Sequence, residues 1–241
     1  MAGNVWVAAE HWRGSVSDAT HELLALGRDL ADSLGVRLEA VLLGHGVRGL
    51  AAGMGTADSV LYVDHPALAD ATGQQASRAL VALAATLPGI PGVLPVDLVL
   101  SGCQANDALD GFVAPLVALA LDLPYLGLVS RITVDPDARK ALVAKEYAGG
   151  VMGRFEVVLP AFLGVQGCER PPRYVPISKV RAAMASGAIE AVAAASGTAT
   201  SPLDVTAMAK PEVAGHAAMI EGSVRDVAEK VADILAARGL L

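Results

Sequence analysis

The stretch VDLVLSGCQANDALDGFVAPLVALAL, Val96 to Leu121, decides the fold. A mainly apolar run, Val96 to Leu100, gives way at Ser101 to small, amide and acidic residues. A second apolar stretch, from about Phe112 to Leu121, reads as a helix. Strand, polar loop and helix in succession is the repeating unit of a parallel sheet. In doubly wound sheets ligands bind beyond the C-terminal ends of strands, where the strand order reverses. The N–H groups that open a helix favour phosphate. Gly102 and Gly111 let a ligand approach the backbone, and Gln104 and Asn106 supply amides for a base or sugar. Asn and Asp ahead of a helix are also ordinary N-caps, and glycine serves any turn. Pattern alone therefore leaves two roles open, a ligand loop and a capping turn.

Upstream, NVWVAA (Asn4–Ala9), RLEAVLLG (Arg37–Gly44) and SVLYVD (Ser59–Asp64) read as buried strands. Between them Leu23, Leu26, Leu30 and Leu34 recur at helical spacing, with Gly35 where a C-cap belongs. A short helix is expected over Val47–Ala52 and a longer one from about Ala71 to Thr86. The reversal of strand order should then lie between the strands at Asn4 and Val96. Downstream of Pro124, LGLVSRITV, KALVAKEYA and GRFEVVLPAFLGV read as strands that add an antiparallel section. CERPPRYVPIS (Cys168–Ser178) is a Pro-rich loop, KVRAAMASG a short helix closed by Gly187, and Ala191–Gly222 shows little periodicity. The final segment is a helix with Val224, Val227, Val231 and Leu235 on one face and Ser223 and Asp226 placed to cap it. The expectation is an α/β, doubly wound, mostly parallel, Rossmann-like sheet with added antiparallel strands. It spans 1–190, and 191–241 form a C-terminal arm for packing on a partner.

Composition narrows the function. A net charge of −7 without clustered Lys and Arg speaks against nucleic acid. GFVAPLVALAL is too short to cross a bilayer, so no membrane insertion is expected. MAGNVWVAAEHW lacks the basic and apolar regions of a leader, and Cys103 and Cys168 are far apart, so reduced thiols in the cytoplasm are expected. Scattered histidines give no metal motif. There is no Walker loop, no Rossmann glycine fingerprint and no nucleophile–base pair, and carboxylates such as Asp107 and Asp110 at a helix start are usually caps. No catalytic residue is assigned.

GCQANDALDGFVAPLVALALDLPY resembles the small (beta) subunit family of electron transfer flavoproteins, through Gly102, Gln104, Ala105, Asp107, Asp110 and Pro124. The segment RFEVVLPAFLGVQGCERPPRYVPISKVRAAMASGAIE is similar to a second region of that family, through Pro160, Pro172, Arg173, Tyr174, Ala183 and Ile189. MIEGSVRDVAEKVADILAARGLL resembles its C-terminal helix. The first ninety or so residues look more like the N-terminal domain of the large (alpha) subunit. The small-subunit expectation rests on the absence of the large subunit's Ser-Arg and Gly-Gln-Thr-Gly flavin-domain motifs.

The resemblance implies an adenine nucleotide, AMP or a second FAD. Its site would be Gly102, Cys103, Gln104, Ala105, Asn106, Asp107, Asp110, Gly111, Phe112 and Val113, completed by Ala8, Leu43 and Gly44. It implies a large-subunit partner that holds or shares the electron-transferring FAD. A dehydrogenase or other redox partner would dock at Arg173, Tyr174 and the aliphatic Ile177, which on local pattern could equally be core. Two departures bear on the site: Cys103 stands where Lys, Arg or Gln is frequent, and Phe112–Val113 replace a more polar helix start. Both weaken the expected hold on phosphate and allow an altered or empty site. The alternative is a stand-alone adenine-nucleotide-binding scaffold or regulatory protein without redox activity.

Overall fold

Strand β1, Asn4–Ala9, places three consecutive buried residues, Val5, Trp6 and Val7, in the middle of the molecule. A strand buried on both faces must also satisfy both backbone edges. β1 does so by pairing in parallel with β2 (Leu38–Gly44) on one side and β4 (Val96–Gly102) on the other. β2 pairs in turn with β3 (Ser59–Asp64). The chain thus walks outward from β1 to β3, then crosses back to start β4 on the opposite flank, which puts the reversal where the sequence predicts it. The structure, a computed structural model, describes residues 3–69, 73–86, 96–105, 109–168, 189–193 and 217–241, together with 176, 178, 181–182, 207 and 209.

Helix α1, Asp18–Leu34, covers one face and is delimited as its sequence predicts. The Ser17 hydroxyl accepts the Thr20 N–H, and Gly35 takes a left-handed φ of 68°. Leu23, Leu24 and Leu30 pack on Val5, Val7, Leu98 and Leu100. A Cβ at Gly27 would stand 2.8 Å from the Leu38 side chain, so glycine there sets how closely α1 meets β2. Helices α2 (Gly73–Thr86) and α3 (Val113–Ala120) cover the other face, around Trp6, Val41, Val99 and Phe162. Asp97 stays buried in β4 because Gly3 N–H and the Arg139 guanidinium both donate to its carboxylate.

The downstream strands differ from the expectation at one point. β5 (Tyr125–Asp135), β6 (Lys140–Tyr147) and β7 (Val151–Val158) form the predicted antiparallel section. GRFEVVLPAFLGV, however, is not a single antiparallel strand. It breaks at a cis Leu159–Pro160 bond, and its second half, β8 (Ala161–Val165), inserts between β4 and β5, parallel to both. The physical reason is burial: all five residues of β8 are buried, whereas β7 is mostly exposed. A continuous apolar pentapeptide belongs in the interior of a sheet. A further short strand, β9 (Ile189–Ala191), which the sequence reading does not assign, adds in parallel to β3. The nine-stranded order is β9-β3-β2-β1-β4-β8-β5-β6-β7. This is an α/β, doubly wound, mostly parallel sheet with an antiparallel extension.

Two compact units comprise Met1–Leu203 and Asp204–Leu241. In the second, helix α4 (Val224–Ala237) carries the predicted capping box: Asp226 N–H donates to the Ser223 hydroxyl and the Asp226 carboxylate accepts from Ser223 N–H. Apart from Ser178, Arg181 and Ala182, the short helix expected up to Gly187 lies outside the described residues.

Phe162 is fully buried and stacks edge-to-face on Tyr125 at 6.3 Å between ring centroids. Phe162→Ala should lower unfolding free energy by about 3–5 kcal/mol in a denaturant titration. A loss under about 1 kcal/mol would mean that β8 is not the central strand described.

Candidate nucleotide-binding site

The C-terminal ends of β1, β2 and β4 lie side by side. Ala8 is opposite Val41, Ala9 opposite Leu42, and Val7 opposite Leu100. Three of the sequence-derived residues, Ala8, Leu43 and Gly102, are thereby brought to one edge of the sheet by strand register alone. The loop after β1 is a small hairpin, His11–Trp12 paired with Ser15–Val16. Its base is closed by the buried Thr20, whose hydroxyl accepts Glu10 N–H and donates to the Glu10 carbonyl. Arg13 and Gly14 turn the hairpin with φ of 48° and 79°. Trp12 is 41% exposed at its tip, with the Arg13 guanidinium 5.4 Å from the ring centroid.

Gly44 has a task that its sequence context does not reveal. The His11 ring lies against it and its Nε2 is 3.0 Å from the Leu43 carbonyl. A Cβ at position 44 would come within 2.4 Å of that nitrogen. The close approach that Gly44 permits is made by the chain's own histidine, which ties the first crossover loop to β2. Nothing in the local pattern of EHWRGS marks His11 for this, since the contact spans the sheet. Beyond Gly44, the Asp64 carboxylate at the end of β3 accepts Gly46 N–H at 2.8 Å.

The loop after β4 closes on itself. Ala105 N–H donates to the Asp110 carbonyl at 2.7 Å, and Leu109 N–H to the Ala105 carbonyl at 3.0 Å. Gln104 Nε2 donates to the Leu109 carbonyl at 3.4 Å, which spends its amide donor inside the loop. Gly111 is obligatory, because a Cβ there would meet the Cys103 carbonyl at 2.7 Å. Above Gly102, by contrast, a Cβ would have nothing within 4 Å. Asp110 Oδ1 accepts Phe112 N–H at 3.5 Å. Phe112 is the N-cap of α3 and makes no side-chain cap bond, and Pro115 in the first turn brings no N–H. Val113 opens the helix. Asn106 and Asp107 lie outside the described residues, as do Arg173, Tyr174 and Ile177.

Cys103 anchors this loop to the other half of the sheet. Leu128 N–H donates to its sulfur, and a Cβ at Gly164 of β8 would lie in ordinary contact with it, 3.6 Å away. The Tyr125 hydroxyl lies over Gly127 and Gly164: a Cβ at Gly127 would collide with it at 2.3 Å, and one at Gly164 would crowd it at 3.2 Å. Burial pushes the Cys103 thiol above its usual range, and the Leu128 N–H and the Lys145 ammonium offset only part of that. Burial likewise raises Tyr125, with the sulfur adding to the effect. At neutral pH the loop therefore presents a neutral thiol where a cation would serve phosphate better. Among the described residues no group of three or more His, Cys, Asp or Glu could hold a metal, and no helix is long and apolar enough to cross a membrane.

Burial also pushes Cys168 up to about 11, with Glu22 contributing. A thiol raised in the folded state stays protonated, hence unreactive, until pH passes its folded value. Alkylation of the native chain should therefore lag that of the unfolded chain at pH 8 by at least about tenfold, and the lag should shrink toward pH 11. Equal rates at pH 8 would contradict the raised titration of these half-buried thiols.

A family model described as the electron transfer flavoprotein domain matches residues 5–197. The electron transfer flavoprotein subunit beta of Methylophilus methylotrophus is 31% identical over 147 residues, covering 58% of this chain and 55% of that protein. The electron transfer flavoprotein subunit alpha of Thermoanaerobacterium thermosaccharolyticum is 36% identical over 83 residues, 34% of this chain and 25% of that one. The acryloyl-CoA reductase electron transfer subunit beta of Anaerotignum propionicum is 40% identical over 67 residues, 27% and 18% respectively. The chain thus spans about half, or less, of the length of these relatives. With a family model matched along most of its length, on a sheet whose crossover carries the GCQANDALDG loop, the chain belongs to the electron transfer flavoprotein domain family.

Proposed function

We propose that the chain is a small-subunit-like component of an electron transfer flavoprotein. It would hold AMP or FAD in the crevice between the β1 and β4 loops. It would support electron transfer from a dehydrogenase or other redox partner through a FAD held by, or shared with, a large (alpha) subunit. The observation behind this reading is the loop at Gly102–Gly111: a self-closed turn at the crossover that leads into α3, with nothing among the described residues within 4 Å of a Cβ at Gly102. Those features suit a sugar and phosphate laid along backbone. The small side chain of Ala8 and the edge at Leu43 would bound the base, and the exposed Arg13 on the neighbouring hairpin is a cation available to the same edge. The carrier chemistry would be the flavin's, and this chain would bind, orient and shield it.

The remaining parts of the proposal concern assembly. Residues 191–241 would form an arm, ending in α4, that lies on the large subunit; α4 buries none of its side chains. Arg173, Tyr174 and Ile177 would meet the redox partner. The complex would act in the cytoplasm, away from nucleic acid and outside the bilayer. One observation favours a second reading: the neutral, half-buried Cys103 in the candidate loop suits a scaffold or regulatory protein with weak or no nucleotide binding.

Denaturing the purified chain, alone and co-expressed with a large subunit, and identifying the released nucleotide by chromatography and absorbance tests this. AMP identifies a structural nucleotide and FAD a redox-active flavin, and a chain empty in both preparations sinks the proposal in favour of the scaffold. Gly111→Ala should cut retained nucleotide by about tenfold or more while shifting Tm by only a few degrees. Asp107→Ala should empty the site in the same way, and undiminished occupancy in both variants would place the nucleotide elsewhere.

A further inference from the structure

Helix α3 reads VAPLVALA, and with Phe112 before it and Leu121 after it the run carries no polar side chain. A helix that is apolar all round belongs in an interior. Only one side of α3 has one: Ala114, Val117 and Ala118 are buried among Trp6, Val99 and Phe162. The other side, Phe112, Leu116 and Leu119, recurs at helical spacing and is 58%, 37% and 80% exposed. Leu109, three residues ahead of Phe112, is 70% exposed and is held there. Its φ is 55°, a region that a leucine keeps only where its surroundings fix it. The Ala105 carbonyl accepts its N–H, and Gln104 Nε2 donates to its carbonyl.

We propose that this outward face of α3, with Leu109, is the seat of the large (alpha) subunit, which meets it with an apolar surface edged by Lys or Arg. The inference rests on the small-subunit reading given above and says where that partner binds. Area argues for it. At typical side-chain areas the four residues leave on the order of 450 Å² of apolar surface in water. A standard interface takes about 800 Å² from each partner, of which roughly 57% is apolar, so this face supplies the apolar share of one side. Transient redox encounters use smaller interfaces, whereas permanent partners cover apolar ones. A helix with no polar side at all therefore fits the lasting partner.

Charge narrows the occupant further. From Val96 to Ser130 the chain has no Lys, Arg or His, and the charges that border the helix, Asp110 and Asp122, are both acids. An acidic rim around an apolar centre attracts a basic-edged surface and repels a second copy of itself. Asp122 is exposed, with φ of 53° just past the end of α3, so its carboxylate stands at the rim.

The test is the affinity of the full chain for the large subunit, measured by titration calorimetry. Leu119→Lys should raise that dissociation constant by about tenfold or more, since it removes an apolar contact and sets a cation against a basic edge. Leu119→Met should stay within about threefold of the parent. Asp122→Asn, which tolerates the left-handed backbone, should weaken the complex by about threefold, as should added salt. Circular dichroism and retained nucleotide of all three variants should match the parent, because these side chains are exposed and lie outside the nucleotide loop. Parental affinity in Leu119→Lys overturns the proposal and leaves the small-subunit reading standing. So does loss of electron exchange with a redox partner at unchanged subunit affinity, or a chain that pairs with itself until Leu119→Lys makes it monomeric. A chain that never binds the large subunit overturns both the proposal and that reading, while its retained nucleotide still reports on the site.

Discussion

The structure depends on β1 being paired on both edges and buried on both faces. Val5 and Val7 are inaccessible to solvent, and their backbone groups are satisfied only if β2 and β4 flank the strand. That demand makes the chain cross over after β3. The crossover parts the loops that follow β1 and β4, the place where doubly wound sheets bind ligands. The candidate site is thus a by-product of satisfying one hydrophobic strand, and its residues need only be small, polar and glycine-rich enough to line the gap.

Much of the sheet was legible because its signals are local. The leucines of α1, its serine and glycine caps, the continuous apolar strands and the capping box of α4 are each decided by residues within a turn or two of one another. What escaped were the non-local decisions. FEVVLPAFLGV reads as one strand until burial separates an exposed β7 from a buried β8, and no local signal says that β8 must return to lie beside β4. Gly44 and Gly164 look like ordinary loop and strand glycines, yet each lies close against a side chain from another element, His11 and Tyr125 respectively. The GCQANDALDG loop was legible as a loop, while its anchoring to β5 through Cys103 and Leu128 was not.

The likeness to both beta and alpha subunits has a simple physical basis. The doubly wound half of the sheet is a general scaffold, and subunit character has to come from what is attached to it. Here the attachments are an antiparallel meander with an uncapped edge on one flank and a short β9 on the other.

The insertion of β8 has a consequence for the order in which the molecule is made. On the ribosome β4 emerges with one flank bare, and it stays bare while β5, β6 and β7 are synthesised, because the strand that fills the gap comes after all three. Non-local pairing of this kind is slow, since the loop must close before any contact repays it. Ser101 and Gly102, at the end of β4, gain their partners Gly164 and Val165 only when β8 arrives. The start of the loop after β4 is therefore among the last parts of the sheet to be locked, and nascent chains shorter than about Val165 lack the strand that flanks it.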